Sequence, residues 1–310
     1  MNATIAALTV SDLRGSPRRR RRERRIRVIL FCAAGFSVVV SALIVLTLIF
    51  RAFEFLDEVP LGDLFTDGWF PRRDMFDIRT LFVGSMIVTG IAMAVAAPLG
   101  LGAAIYLSEY ASPAVRKVLK PILEVLSGIP SVVIGLFAIT WISPNMVQAF
   151  QPDAPIQTLA AAGLGVAVLT IPLVASVSED AMRAVPNALR EASYGIGARK
   201  MTTTLRVVVP AAVSGLVASF IVAVSRAIGE TMVVAIAAGG SGGALFGTDP
   251  FEPGLTLTAA MASLAKGTDQ VAGSGSAFKS LFFVGFLLFC VTLVLNTIAN
   301  RFVERVRQKY

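Results

Sequence analysis

Between residues 191 and 231 the chain reads Glu191-Ala192-Ser193-Tyr194-Gly195-Ile196-Gly197, then after nine more residues Val207-Val208-Val209-Pro210, and finally Arg226-Ala227-Ile228-Gly229-Glu230-Thr231. The first part is polar and charged. The second is an apolar run of about thirty residues, long enough to cross a bilayer. Arg226 and Glu230 are its only charges between 208 and 238. A charge in hydrocarbon costs at least ~2.5–3.5 kcal/mol, so an arginine and a glutamate one helical turn apart mark a functional position. On a continuous helix they share a face with Gly215, Ser219 and Ala223, a small and polar row suited to a bundle interior. At ~1.5 Å per residue, Arg226 lies ~24 Å beyond Pro210 along a straight helix.

The rest of the sequence agrees with a membrane location. Of 310 residues, 55% are hydrophobic and 15% charged, against roughly 25% charged in soluble domains. Apolar runs predict six spans, at about 28–50, 81–107, 117–141, 157–177, 208–238 and 281–300. The N-terminal segment 1–27 carries Arg18 to Arg22, Arg24, Arg25 and Arg27 directly before an apolar run, which reads as a cytoplasmic anchor rather than a nucleic-acid patch. Segment 28–79 is the first span and an acidic loop, 80–300 a five-helix domain, and 301–310 a basic tail. Basic connections (Arg116, Lys117, Lys120; Arg183, Arg190, Arg199, Lys200, Arg206; Arg301, Arg305, Arg307, Lys309) alternate with connections poor in Lys and Arg. That alternation places both termini in the cytoplasm; Arg72 and Arg73 in the acidic loop run against it. With no histidine and no catalytic cluster, the chain offers no enzyme active site or metal centre. Cys32 and Cys290, inside apolar runs, read as small buried hydrophobes.

Two segments interrupt this pattern. Ser127-Gly128-Ile129-Pro130-Ser131 breaks the third span, as pathway-lining helices of transporters do; a packing kink is the plainer alternative. The glycine-rich stretch 239–243 opens a long loop in which Leu255 to Lys266 predicts a short amphipathic helix lying on the outer surface.

In the 178–206 loop, Val185, Leu189, Ala192 and Ile196 recur at helical spacing, Pro186 suits a first turn, and Gly197 a helix end with positive φ. The predicted element is a short surface helix with one apolar stripe, which can bury itself in lipid, in its own chain or in a partner's groove. Glu191-Ala192 with Gly197, followed by Val207-Val208-Val209-Pro210, resembles the EAA loop of ABC importer permeases. The resemblance implies the MetI-like all-α fold, with Val185, Leu189, Glu191, Ala192, Ile196 and Gly197 coupling to a cytoplasmic ATPase. Ser193 stands where that family has a second alanine. Ser127 to Val133, Ser178 to Pro186 and Arg226 to Met232 further resemble phosphate importer permeases of the PstC type, from about Trp69 to Arg305. Ser127 and Met201 depart from that pattern, where alanine and tryptophan are usual.

The likeness implies a phosphate pathway through Arg226, Glu230, Thr231, Ser127, Gly128 and Ser131. It also implies a PstA-type second permease, a dimer of ATPase subunits that bind the ATP, and an extracytoplasmic phosphate-binding protein. In this reading Arg226 offers a planar fork to phosphate and Glu230 holds it when no anion is present; a purely structural salt bridge is the rival. No Gly-x-x-x-x-Gly-Lys-Ser/Thr loop occurs, so the chain would bind no nucleotide itself. A permease for another anion or for amino acids, and a stand-alone ion-coupled carrier, remain alternatives.

Overall fold

The computed structural model describes residues 17–240, 242–266 and 275–306; the segment before Pro17, the side chains of Arg18 to Arg21, and Arg307 and Lys309 lie outside them. Two compact units are distinguished, Met1–Phe50 and Arg51–Tyr310. The described residues of the first form one helix, the start of α1 (Pro17–Glu58), whose apolar side chains from Val28 to Phe50 are almost all exposed in the single chain. Cys32 on it is exposed and Cys290 half-buried, so neither is the core residue expected.

The second unit is a helical bundle. After a turn at Leu61–Phe65 comes a small antiparallel hairpin, β1 (Trp69–Phe70) and β2 (Met75–Phe76). Phe55, Trp69 and Phe76 are fully buried there, with Phe55 stacked on Phe283 at 5.0 Å between ring centres. Trp69 also exchanges two backbone hydrogen bonds with Ala244 (2.8 and 3.1 Å). Gly243 makes this approach feasible: its φ is +137°, and a Cβ there would lie 2.3 Å from the Phe70 ring.

Asp77 caps the next helix, α2 (Ile78–Ile105), accepting from Arg79 N (3.2 Å) and Thr80 Oγ1 (2.7 Å). Its buried residues Leu81, Ser85, Val88, Ala92, Ala96 and Gly100 recur at three- and four-residue intervals, one stripe facing the core. A wider turn, Tyr106–Tyr110, closes it through the bond from Ala111 N to Tyr106 O. α3 (Pro113–Ser127) follows, then α4 (Ser131–Phe137), prolonged by wider turns so that one helical stretch runs from Ser131 to Phe150. Next is α5 (Leu159–Arg183), apolar and buried on most sides, hence central. It runs parallel to α2: Gly163 sits against Ile91 and Gly100 against Val174, close enough that a Cβ would approach 2.8 and 2.7 Å. The remaining helices are α6 (Asn187–Gly195), α7 (Lys200–Ala211), α8 (Val213–Ile228), α9 (Met232–Ala237), α10 (Leu257–Ala265) and α11 (Ser276–Val306).

Five helices, Arg22–Glu58, Ile78–Tyr110, Ser131–Phe150, Leu159–Arg183 and Ser276–Arg305, are long and apolar enough to cross a membrane, and α7 with α8 makes a sixth as a bent pair. The all-α polytopic class is as expected, with three revisions. The third span is Ser131–Phe150, not 117–141: Lys117, Lys120 and Glu124 make α3 a separate amphipathic helix with no buried residue, and Pro130 forces Ile129 out of helical geometry. The fifth span is not one straight helix. It bends by 70° after Ala211, where Pro210 follows a widened turn in which Val209 N bonds to Thr204 O, and it stops at Ile228. Finally, α10 does not lie on the surface. Leu257, Thr258, Ala259, Ala260 and Leu264 are buried, and Ser85 Oγ accepts from Leu257 N at 3.0 Å. The helix carries no charge, so it has no polar face to keep wet.

Candidate coupling surface and solute pathway

The 178–206 loop folds as its local signals dictate. Pro186 enters α6, and Ile196 and Gly197 leave it. Gly197 adopts φ +81°, its N–H donates to Tyr194 O (2.9 Å), and Ala198 N donates to Ser193 O (3.1 Å). These are the paired bonds of a Schellman cap, whose left-handed position favours glycine. The expected apolar stripe divides in two. Val185 and Leu189 pack inward on Ala104, Met182, Val208, Ala212 and Leu216. Glu191, Ala192 and Gly197 are exposed, and Ile196 is 88% exposed. The inner face is completed by Ser193, whose hydroxyl pairs with Thr203 Oγ1 at 2.9 Å. One face of α6 therefore holds the chain and the other is open to a partner.

Ion pairs that local sequence reasoning missed surround this helix. Arg190 of α6 donates from Nη2 to Glu109 Oε1 (2.8 Å) and from Nε to Oε2 (3.3 Å). Glu179, fully buried near the end of α5, accepts from Lys120 Nζ at 2.6 Å and has Arg116 and Arg183 at 3.6 and 3.5 Å. Lys120 also reaches Asp180 at 2.6 Å. Burial pushes the Lys120 ammonium pKa down, but the hydrogen bonds to Asp180 and Glu179 outweigh it, leaving it above the usual lysine value. Arg116 binds the carbonyls of Leu107 and Ser108 at the end of α2. Sequence separations of 59 to 81 residues hide the Lys120 and Arg190 pairs from any local pattern; Arg183 and Glu179, in contrast, are one helical turn apart.

The pathway candidates fall at helix ends. Arg226 is in the last turn of α8, exposed, and forms no ion pair among the described residues. The small row continues from Gly215, Ser219 and Ala223 to Ala227, so Arg226 lies off it. Ser219 Oγ meets Ser178 Oγ at 2.7 Å, and Gly215 sits against Ala181, which places that row on α5. The expected Arg226–Glu230 pair is not formed. Because α8 ends before Glu230, its Oε1 accepts instead from Val233 N (3.4 Å) in the first turn of α9, and its carbonyl accepts from Thr258 Oγ1 (2.7 Å). Thr231 is half-buried and donates to Gly229 O at 3.2 Å. Ser127 is exposed and donates to Glu124 O (2.7 Å), Gly128 ends α3, and half-buried Ser131 begins α4. α4 and α9 pack together at Gly135, where a Cβ would lie 3.0 Å from Ile236 Cδ1 and 3.3 Å from Met232 O. A separate cavity of about 300 Å³ opens between the hairpin and the glycine-rich loop; its charged lining residues are Asp249 and Glu252, so it does not suit an anion.

A bundle of five such helices, with a bent pair as the sixth, defines a multi-pass membrane protein. Residues 96–310 match the binding-protein-dependent transport system inner membrane component, and the chain belongs to that family of ABC importer subunits. Over 258 residues it is 31% identical to the probable ABC transporter permease protein YqgH of Bacillus subtilis strain 168, covering 81% of this chain and 82% of that one. It is 28% identical over 293 residues to the phosphate transport system permease protein PstC of Mesorhizobium japonicum, 88% of each. The fold is shared with a bacterial ABC transporter involved in import of the acidic polysaccharide alginate: TM-score 0.63 at 16% identity, covering 93% of this chain and 100% of that one.

Proposed function

We propose that this chain is the PstC-type permease subunit of an ATP-driven inorganic phosphate importer, contributing half of the translocation pathway. It acts beside a PstA-type second permease, on two cytoplasmic ATPase subunits that bind and hydrolyse the ATP, and receives phosphate from an extracytoplasmic binding protein. The chain performs no catalysis of its own. Its termini and α6 lie in the cytoplasm, and Glu191, Ala192, Ile196 and Gly197 present the docking face, with Val185 and Leu189 anchoring it from behind.

The observation that carries the phosphate assignment is Arg226, a guanidinium at a helix end with no carboxylate partner among the described residues, in a chain whose relatives include phosphate permeases. An unpaired cation in a membrane segment calls for an anion, and the guanidinium fork matches two phosphate oxygens. Glu230 does not compete for Arg226, because its carboxylate caps α9. Thr231, Ser127, Gly128 and Ser131 stand at the two helix breaks and complete the proposed pathway. Arg226→Gln is expected to abolish phosphate uptake by proteoliposomes holding the complete importer, with the complex still assembled and ATPase activity retained. Uptake at the wild-type rate would remove Arg226 from the pathway.

A further inference from the structure

A straight helix from Pro210 to Arg226, as the sequence predicts, would carry movement of α6 to Arg226 along its length. The structure makes that route indirect, since α7 intervenes and α7 and α8 meet at 70°. A shorter connection exists. Side chains of Arg190 and Glu109 are 14% and 4% exposed, and the guanidinium is used on every side. Nη2 and Nε grip both Glu109 oxygens, Nη2 also reaches Met182 O at 2.9 Å, and Nη1 reaches Val185 O at 2.7 Å and Asn187 Oδ1 at 3.4 Å. One side chain thus ties α6 to the last turn of α2 and to the end of α5. Lys200, at the start of α7, rests over the Tyr110 ring at 4.9 Å and holds the same end of α2 from the other side.

We infer that Arg190 is a positioning residue for energy coupling, locking α6 to the ends of α2 and α5 so that these parallel helices move with it as one body. This rests on the assignment of α6 as the ATPase-docking helix. A bidentate pair fixes orientation as well as distance, and α2 and α5 interlock through Gly100 and Gly163, so displacement of α6 passes directly into the centre of the bundle. Without the fork, α6 would keep its outward face for the ATPase but would rotate against α2.

The test uses the assembled importer with Cys32 and Cys290 replaced by alanine and spin labels at Ala188→Cys in α6 and Tyr106→Cys at the end of α2. The distance between labels is expected to be the same in nucleotide-free and ATP-bound states of the otherwise wild-type complex, and to broaden and shift between states with Arg190→Gln. Phosphate imported per ATP hydrolysed is expected to fall by about tenfold or more in Arg190→Gln, because small misplacements uncouple steps that depend on geometry. Arg190→Gln with Glu109→Gln should be no worse than either alone, since the pair acts as a unit. A distance that changes in the wild-type background, or an assembled Arg190→Gln complex with an unchanged transport ratio, overturns the inference. If Arg190→Gln does not assemble, Arg190→Lys and Glu109→Gln carry the same measurements; failure of these to assemble would make the pair a folding element and also overturn it. The distance readout needs only ATP, so a wild-type complex that accumulates no phosphate would refute the phosphate assignment and leave this result standing.

Discussion

Gly197 has open space where a Cβ would project, so its constraint is purely backbone: φ is +81°. An L-residue held there costs roughly 1–2 kcal/mol, enough to unwind the last turn of a nine-residue helix. Gly197→Val is therefore expected to leave the chain folded while weakening ATPase capture. Copurification of ATPase with the variant should drop several-fold, and normal capture with normal transport would show that this cap is not part of docking. Gly197 was legible in the sequence because a helix end is decided within five or six residues. Arg190 and Glu109 were not, because their pairing depends on how distant helices are laid side by side. Arg226 lies between these cases: its presence in an apolar run was evident, but its freedom from Glu230 depends on where α8 stops.

Helix α8 shows how packing overrides a continuous apolar run. Its sequence runs from Val213 to Ile228 with Arg226 as the one charge, and Pro210 was the visible warning of the bend before it. The break at Gly229 to Thr231 had only Gly229 as a signal; it is completed by Thr258 of α10, which binds the Glu230 carbonyl. Likewise α3 parted from the third span because Pro130 combined with charges on the preceding turns. The small residues Gly215, Ser219 and Ala223 do face the bundle interior as expected, although without Arg226 and Glu230, and this has a quantitative consequence. A Cβ on Gly215 would lie 2.5 Å from Ala181 Cβ, whereas one on Gly90 of α2 meets nothing within 4 Å. Gly215→Val is expected to push α8 off α5 and destabilise the purified chain by about 1–3 kcal/mol, the usual range for overpacking. Gly90→Ala should be neutral or slightly stabilising, since alanine favours helix by about 1 kcal/mol over glycine. Thermal unfolding of the two variants in detergent checks this, and equal transitions would mean that α8 and α5 separate without cost.

At the scale of the molecule, charge and architecture make independent statements about orientation. Arg116, Lys117, Lys120, Arg183, Arg190, Arg199 and Lys200 gather at the end where α2 and α5 finish and α6 begins. At the opposite end of α2 stand the hairpin and its acidic approach, Asp57, Glu58, Asp63 and Asp67. Arg72 and Arg73 look anomalous there by charge counting, but Arg73 lies over the Phe70 ring at 5.7 Å and Arg72 is not without a partner. Side-chain contacts of this kind can hold a basic residue at an outer surface, so they weaken the positive-inside signal without reversing it. The α6 end is therefore expected to face the cytoplasm. In a background with Cys32 and Cys290 replaced, Leu61→Cys and Leu245→Cys, both exposed near the hairpin, should react with a membrane-impermeant maleimide on intact cells. Ile196→Cys, 88% exposed on α6, should react only after permeabilisation, and less once the ATPase is bound. The reverse labelling pattern would put α6 outside, beyond reach of any cytoplasmic ATPase, and would end the coupling assignment along with the inference about Arg190.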